Sequence, residues 1–198
     1  MCMRAGWSVL DLAAAYLRGG ARFIQLRAKS MPGAELLATA SFVVQLALRH
    51  QARVVINDRA DIARLAGADG VHVGQEDLTP AAVRAIIGDS SIVGLSTHTI
   101  EQVDRAVREP VSYVAVGPVF GTATKATGYE PVGLERVREA ARRATVRGIP
   151  LVAIGGITLE NAASVLDAGA VSVAIISDLL STGDPEARVR AYIERFSR

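Results

Sequence analysis

Three polar side chains spaced two apart, Gln25, Arg27 and Lys29, interrupt an apolar run that begins at Phe23. In an extended chain, residues two apart share a face. The amide and the two cations therefore point one way, with Ile24 and Leu26 pointing the other. Fixed positive charge on one side of a buried strand needs a negative partner. The neighbouring sequence supplies none, so a bound anion is expected. Two carboxylates follow, Asp58 in Asn57-Asp58-Arg59 and Asp77 in Gly74-Gln75-Glu76-Asp77, each just past an apolar run. Carboxylates from adjacent strand ends suit magnesium, which takes one or two of them and fills its other positions with water and substrate phosphate. The plainer uses are a helix cap or a partner for Arg59 in the case of Asp58, and an ordinary loop carboxylate in the case of Asp77.

Further polar groups sit where other apolar runs stop. Ser96 ends one, either as a local hydrogen-bonding group or as a ligand to substrate. His72 alternates with Val71 and Val73 and is expected to point inward. Neither His72 nor His98 has companions at zinc spacing. The stretch Gly117 to Lys125 carries Thr122, Ala123, Thr124 and Lys125, two hydroxyls and a lysine suited to phosphate oxygens, or else forms a plain surface loop. Gly155-Gly156 and Ser177 end the last two runs. Backbone N–H groups in such a turn make a second anion site, the alternative being tight helix–strand packing. The inventory suggests two phosphorylated substrates and contains no obvious nucleophile or general base.

The elements that must position these groups alternate along the whole chain. Short apolar runs at Phe23 to Leu26, Val54 to Ile56, Val71 to Val73, Ile92 to Leu95, Tyr113 to Val119, Leu151 to Ile154 and Val171 to Ile176 read as parallel strands buried on both faces. Between them, apolar residues recur every three or four positions, as over Glu35 to Arg49, Pro80 to Ile87, Ile100 to Arg108, Leu134 to Ala144 and Leu159 to Ala168. Thr79-Pro80 marks one helix start, and Thr99 with Gln102 reads as a capping box. A further helix spans about Ser8 to Leu17. This pattern predicts an α/β fold, a TIM-type (β/α)8 barrel forming one domain over residues 1–198. Met1 to Trp7 does not read as a strand, so the barrel is expected to lack its first, N-terminal strand. The runner-up is a doubly wound open sheet. In a barrel the strand ends converge on one rim, where active sites sit.

Composition narrows the class. Half of the 198 residues are hydrophobic, enough for a large core, and 22 basic against 20 acidic residues give only +2, which argues against nucleic acid as a partner. A single cysteine, Cys2, excludes an intrachain disulfide and favours a reducing compartment. No apolar run is long enough for a membrane span. A cytoplasmic protein is expected, with its oligomeric state left open.

In order along the chain, Gln25-Leu26-Arg27-Ala28-Lys29, Asn57-Asp58-Arg59, Gly70 to Asp77, Ser96-Thr97-His98, Gly117-Pro118 to Lys125, Ala153 to Ile157 and Ala174 to Ser177 resemble the thiamine-phosphate synthase family. The resemblance runs from about Gly19 to Asp184. It implies a transferase of thiamine biosynthesis that joins hydroxymethylpyrimidine diphosphate to a thiazole phosphate and releases pyrophosphate. The family reaction is dissociative, which accounts for the missing nucleophile. By this resemblance Asp58 and Asp77 hold Mg2+. Gln25, Leu26, Arg27, Ala28, Lys29, Asn57, Ser96 and Lys125 hold the pyrimidine diphosphate, with Arg27, Lys29, Ser96 and Lys125 as the catalytic set. Thr122, Ala123, Thr124, Gly156, Ile176 and Ser177 hold the thiazole phosphate. The alternatives are a thiazole tautomerase-like isomerase and a non-catalytic phosphate-binding barrel. The first would not need the magnesium and pyrophosphate set and is expected to carry a histidine where Pro118 stands.

Overall fold

The computed structural model describes residues 6–121 and 130–196. Seven strands form one sheet in strict chain order: β1 (Phe23–Leu26), β2 (Arg53–Asn57), β3 (Gly70–Val73), β4 (Ile92–Thr97), β5 (Tyr113–Val116), β6 (Leu151–Ile154) and β7 (Ser172–Ala174). Every neighbouring pair is parallel. The order never reverses, so there is no switch point, and the doubly wound alternative is excluded. The sheet curls on itself: the ring of Phe23 on β1 meets that of Tyr113 on β5 edge-on, with centroids 5.9 Å apart. Among the described residues it is a (β/α) barrel short of one strand. The largest shifts from the expected strand limits are at three ends, where β4 continues to Thr97 while β5 and β7 stop at Val116 and Ala174; the other limits move by one residue at most. Past Val116 the chain leaves the regular ladder but keeps bonds to its neighbours: Gly117 N donates to Thr97 O at 3.2 Å and Val119 N to Ile154 O at 2.9 Å.

Burial records the gap. Val54, Val55 and Ile56 on β2 have no exposed surface, and all four residues of β3 and of β5 are buried. The edge strands differ: Phe23 is 47% exposed and Val171, beside β7, 66%. Among the described residues no strand lies between β7 and β1, so both edges keep unpaired backbone groups.

The outer layer is formed by α1 (Val9–Arg18), α2 (Gly33–Arg49), α3 (Ala60–Ala66), α4 (Pro80–Ile87), α5 (Ile100–Ala106), α6 (Gly133–Val146), α7 (Ala162–Asp167) and α8 (Pro185–Phe196). This layer closes where the sheet does not. Helix α1 packs on both α2 and α8. Arg18 bonds Glu186 at 2.7 Å, and Gly19 comes so near α8 that an added Cβ would lie 2.6 Å from the Glu186 carbonyl. No helix among the described residues is long and apolar enough to cross a membrane.

Two expected helix starts hold. Thr79 accepts from Ala82 N, with Pro80 at the first helical position. Thr99 accepts from Gln102 N at 3.3 Å, but the reciprocal bond of a capping box lands one residue early. Gln102 accepts from His98 N at 2.7 Å, a group just past the β4 ladder and in need of an acceptor. Helix α7 begins later than the expected Leu159, because Asn161 Oδ1 takes the Thr158 N–H in a turn before the helix.

Candidate active site

The strand ends gather the expected polar residues into two neighbouring groups. The first lies over β1, β2 and β3. Past Leu26 the alternation continues as expected: Gln25, Arg27 and Lys29 are exposed, Leu26 is buried and Ala28 is half-buried. One expectation changes here. Lys29 does have a protein partner, Asp58, 2.9 Å from its Nζ. That partner comes from the end of the adjacent strand, 29 positions away, out of reach of any local reading.

Asp58 is held in an unusual conformation. Its φ is 63°, in the left-handed region, and Arg59 N donates back to Asn57 O across it at 2.8 Å. A three-residue turn of this hand is strained, and strain of this kind concentrates at functional sites. The turn anchors Asp58 N on the His72 carbonyl at 2.8 Å. The plainer roles for Asp58 fall away. Arg59 pairs with Asp61, and α3 has no side-chain cap. Burial raises the Asp58 carboxyl, but hydrogen bonds to Lys29 and Asp77 and the charge of Lys29 outweigh it. The group is left below its ordinary range. Asp77 is thus close enough to share a hydrogen bond with Asp58. It also accepts from Gly74 N at 2.8 Å, which fixes its loop.

Two acids this close either share a proton or hold a cation. Among the described residues no three His, Cys, Asp or Glu side chains converge. The pair offers oxygen ligands from two carboxylates, which fits magnesium completed by water and phosphate and does not fit a closed zinc site.

The second group lines a cavity over β4 to β7, bounded by Ser96, His98, Pro118, Gly156, Ile176 and Ser177. Four of these, Ser96, Gly156, Ile176 and Ser177, are among the expected substrate contacts, and the structure brings them to one cavity. Gly155 and Gly156 both have positive φ, 100° and 66°, and a Cβ on either would lie within 2.7 Å of the loop after β5. Tight packing, the plainer reading of this turn, is present. The packing presents the backbone: the N–H groups of Gly156, Ile157 and Ser177 have no acceptor among the described residues. Asp178, next to Ser177 in a short 3-10 turn (Ser177–Leu180), pins that turn to α8 through Arg188 and Tyr192. Thr122, Ala123, Thr124 and Lys125 lie outside the described residues.

A third arrangement joins the two groups and was only partly legible. His72, Gly94 and Tyr113 occupy one row across β3, β4 and β5. The His72 and Tyr113 rings stack, with centroids 5.5 Å apart. His72 Nδ1 lies 2.7 Å from the Tyr113 hydroxyl and Nε2 lies 2.8 Å from Ser96 Oγ. His72 points inward as expected. Tyr113 was missed, as was Gln75, whose amide donates to the Ser96 carbonyl at 2.6 Å. The available signal was Gly94, because a glycine inside a strand marks a close approach. A Cβ there would lie 2.2 Å from the Tyr113 ring. Gly94→Ala is therefore expected to cost about 1–3 kcal/mol by overpacking. Thermal unfolding checks this, and an unchanged midpoint would mean that the ring moves freely.

Known proteins bear on this geometry. A family model described as thiamine monophosphate synthase matches residues 2–179. A thiamine-phosphate synthase of Roseiflexus castenholzii is 45% identical over 187 residues, covering 94% of this chain and 81% of the relative. One from Thermus thermophilus is 44% identical over 195 residues, covering 97% and 92%. The solved thiamine phosphate pyrophosphorylase of Pyrococcus furiosus superposes with a TM-score of 0.86 at 30% identity, over 94% of this chain and 88% of that one. With the ordered strand-end motifs in place on a matching barrel, the chain belongs to the thiamine monophosphate synthase family.

Proposed function

We propose that the chain is a transferase that joins hydroxymethylpyrimidine diphosphate to a thiazole phosphate, forming thiamine phosphate and pyrophosphate, with Mg2+ at Asp58 and Asp77. One observation carries the reading: two acidic groups and Lys29 meet on one side of the rim, beside a cavity whose backbone donors have no acceptor among the described residues on the other. The first suits a metal-bound diphosphate and the second a separate phosphate. Bound magnesium would offset the charge that develops on the departing diphosphate. The C–O bond between the pyrimidine methylene and the diphosphate breaks, and its electron pair leaves with the diphosphate. The thiazole nitrogen lone pair then forms the new C–N bond.

No side chain has to act as a nucleophile, so the chain's work is positioning and charge stabilisation. Gln25, Arg27, Lys29, Asn57, Ser96 and Lys125 serve the pyrimidine diphosphate, on the backbone run that includes Leu26 and Ala28. Gly156, Ile176 and Ser177, with Thr122 to Thr124, serve the thiazole phosphate. Asp58 and Asp77 would hold the cation, which would leave Lys29 to serve the diphosphate in place of Asp58. The ion pair is half-exposed and weak enough to exchange. A cytoplasmic location fits this role and the single cysteine.

The purified protein is expected to form thiamine phosphate and pyrophosphate from both substrates with magnesium, and none after chelation. Lys125→Ala should lower the rate at least about tenfold. Isomerisation of a thiazole phosphate without pyrophosphate release would overturn the reading in favour of a tautomerase.

A further inference from the structure

The Tyr113–His72–Ser96 chain has a direction, and the direction follows from burial. Tyr113 is 8% exposed, and its hydroxyl has a single partner among the described residues, His72 Nδ1 at 2.7 Å. Burial pushes the phenol well above its ordinary value, so the group is a phenol and not a phenolate. If Nδ1 carried the imidazole proton, the phenolic proton would be buried with no acceptor among the described residues, an unfavourable arrangement. The phenol therefore donates to Nδ1. In the neutral imidazole the proton then sits on Nε2, which donates to Ser96 Oγ at 2.8 Å. With a lone pair of Oγ occupied and its carbonyl holding Gln75, Ser96 has its hydroxyl proton left to give. Ser96 lines the cavity.

We propose that Tyr113 and His72 are positioning residues that set Ser96 as a hydrogen-bond donor, through Tyr113 O–H to Nδ1 and Nε2–H to Oγ, toward an acceptor atom of the pyrimidine diphosphate. This rests on the synthase reading for the identity of the ligand, and on geometry alone for the direction of the chain. The row is built for the purpose: Gly94 stands between the two rings in register, and any larger residue would strike the phenol. A donor aimed at an oxygen that gains negative charge as the C–O bond breaks strengthens in the transition state. Its loss is read in kcat more than in KM.

Two measurements test this. In protein labelled with 15N-histidine, the His72 side chain is expected to show a protonated Nε2 and an unprotonated Nδ1. A proton on Nδ1 would overturn the direction whether or not the protein is active. In steady-state assays Tyr113→Phe is expected to lower kcat at least about tenfold while KM moves less than about threefold. His72→Gln is expected to retain far more of kcat than His72→Leu, because an amide offers an acceptor to Tyr113 and a donor to Ser96. Unchanged kcat in Tyr113→Phe, or equal losses in His72→Gln and His72→Leu, would refute the positioning role. If the unaltered protein makes no thiamine phosphate, the synthase reading falls, and the nitrogen shifts still decide the direction of the chain.

Discussion

Replacing Asp77 by alanine should lower the rate of thiamine phosphate formation at least about tenfold, a barrier increase of about 1.4 kcal/mol, and, with Mg2+ held at Asp58 and Asp77 as proposed, should shift the dependence on magnesium to higher concentration. Asp77 has two jobs in the structure: it stands beside Asp58, and it accepts the Gly74 N–H at 2.8 Å. Alanine removes both. Asparagine separates them, because its carbonyl still accepts from Gly74 while the charge is gone. The expectation is that Asp77→Asn unfolds at nearly the unaltered temperature and yet shares the loss of rate, with partial recovery as magnesium is raised. Initial rates against magnesium concentration and a thermal melt decide the matter. Unaltered rates in Asp77→Asn would leave the carboxylate a purely structural loop anchor.

Asp178→Asn is expected to destabilise the fold by about 3 kcal/mol, the lower end of the loss on breaking a buried ion pair. In a chain of this size that corresponds to a fall of about 6–12 °C in the unfolding midpoint. Asp178 is 8% exposed and takes both prongs of the Arg188 guanidinium, at 2.9 and 3.1 Å, and the Tyr192 hydroxyl at 2.6 Å. Asparagine can still accept, but Arg188, itself 15% exposed, keeps a charge with, among the described residues, only the exposed Glu160 as an acidic partner at 3.2 Å. Burial raises the Asp178 carboxyl; the hydrogen bonds from Arg188 and Tyr192 and the charge of Arg188 more than reverse this and hold it below its ordinary value. A carboxyl lowered in the folded state contributes its full stability above its ordinary value and loses it as pH falls through the folded value. The gap in midpoint between unaltered protein and Asp178→Asn should therefore be wide at neutral pH and close as the pH drops below about 4. A gap that stays constant with pH would show that the loss is one of packing. Because the same turn carries Ser177, the destabilised variant should also bind the thiazole phosphate less tightly.

The strand–helix alternation, the two Thr helix starts and the location of chemistry at strand ends were all readable along the chain, because each depends on residues within a few positions of one another. Period-two alternation placed Gln25, Arg27 and Lys29 on one face, and the structure leaves all three exposed beside a buried Leu26. The absence of a strand pattern at the start was equally readable, and it appears as exposed edges at β1 and β7.

What alternation does not contain is the neighbour. Lys29 meets Asp58, and Asp58 meets Asp77, because three parallel strands end at one level on the rim. His72, Gly94 and Tyr113 form a row because of the register of β3, β4 and β5, which long crossovers through helices set. Register is fixed by packing between segments distant in sequence, so Tyr113 and Gln75 read as an unremarkable strand aromatic and a loop amide until the strands were paired. Which residue types the rim carries, and which face each strand presents, is written in the chain's own alternation. Which of them touch, and with that which way the buried chain of donors points, follows from the pairing of strands in the folded barrel, since a hydrogen bond's direction depends on what else surrounds the group.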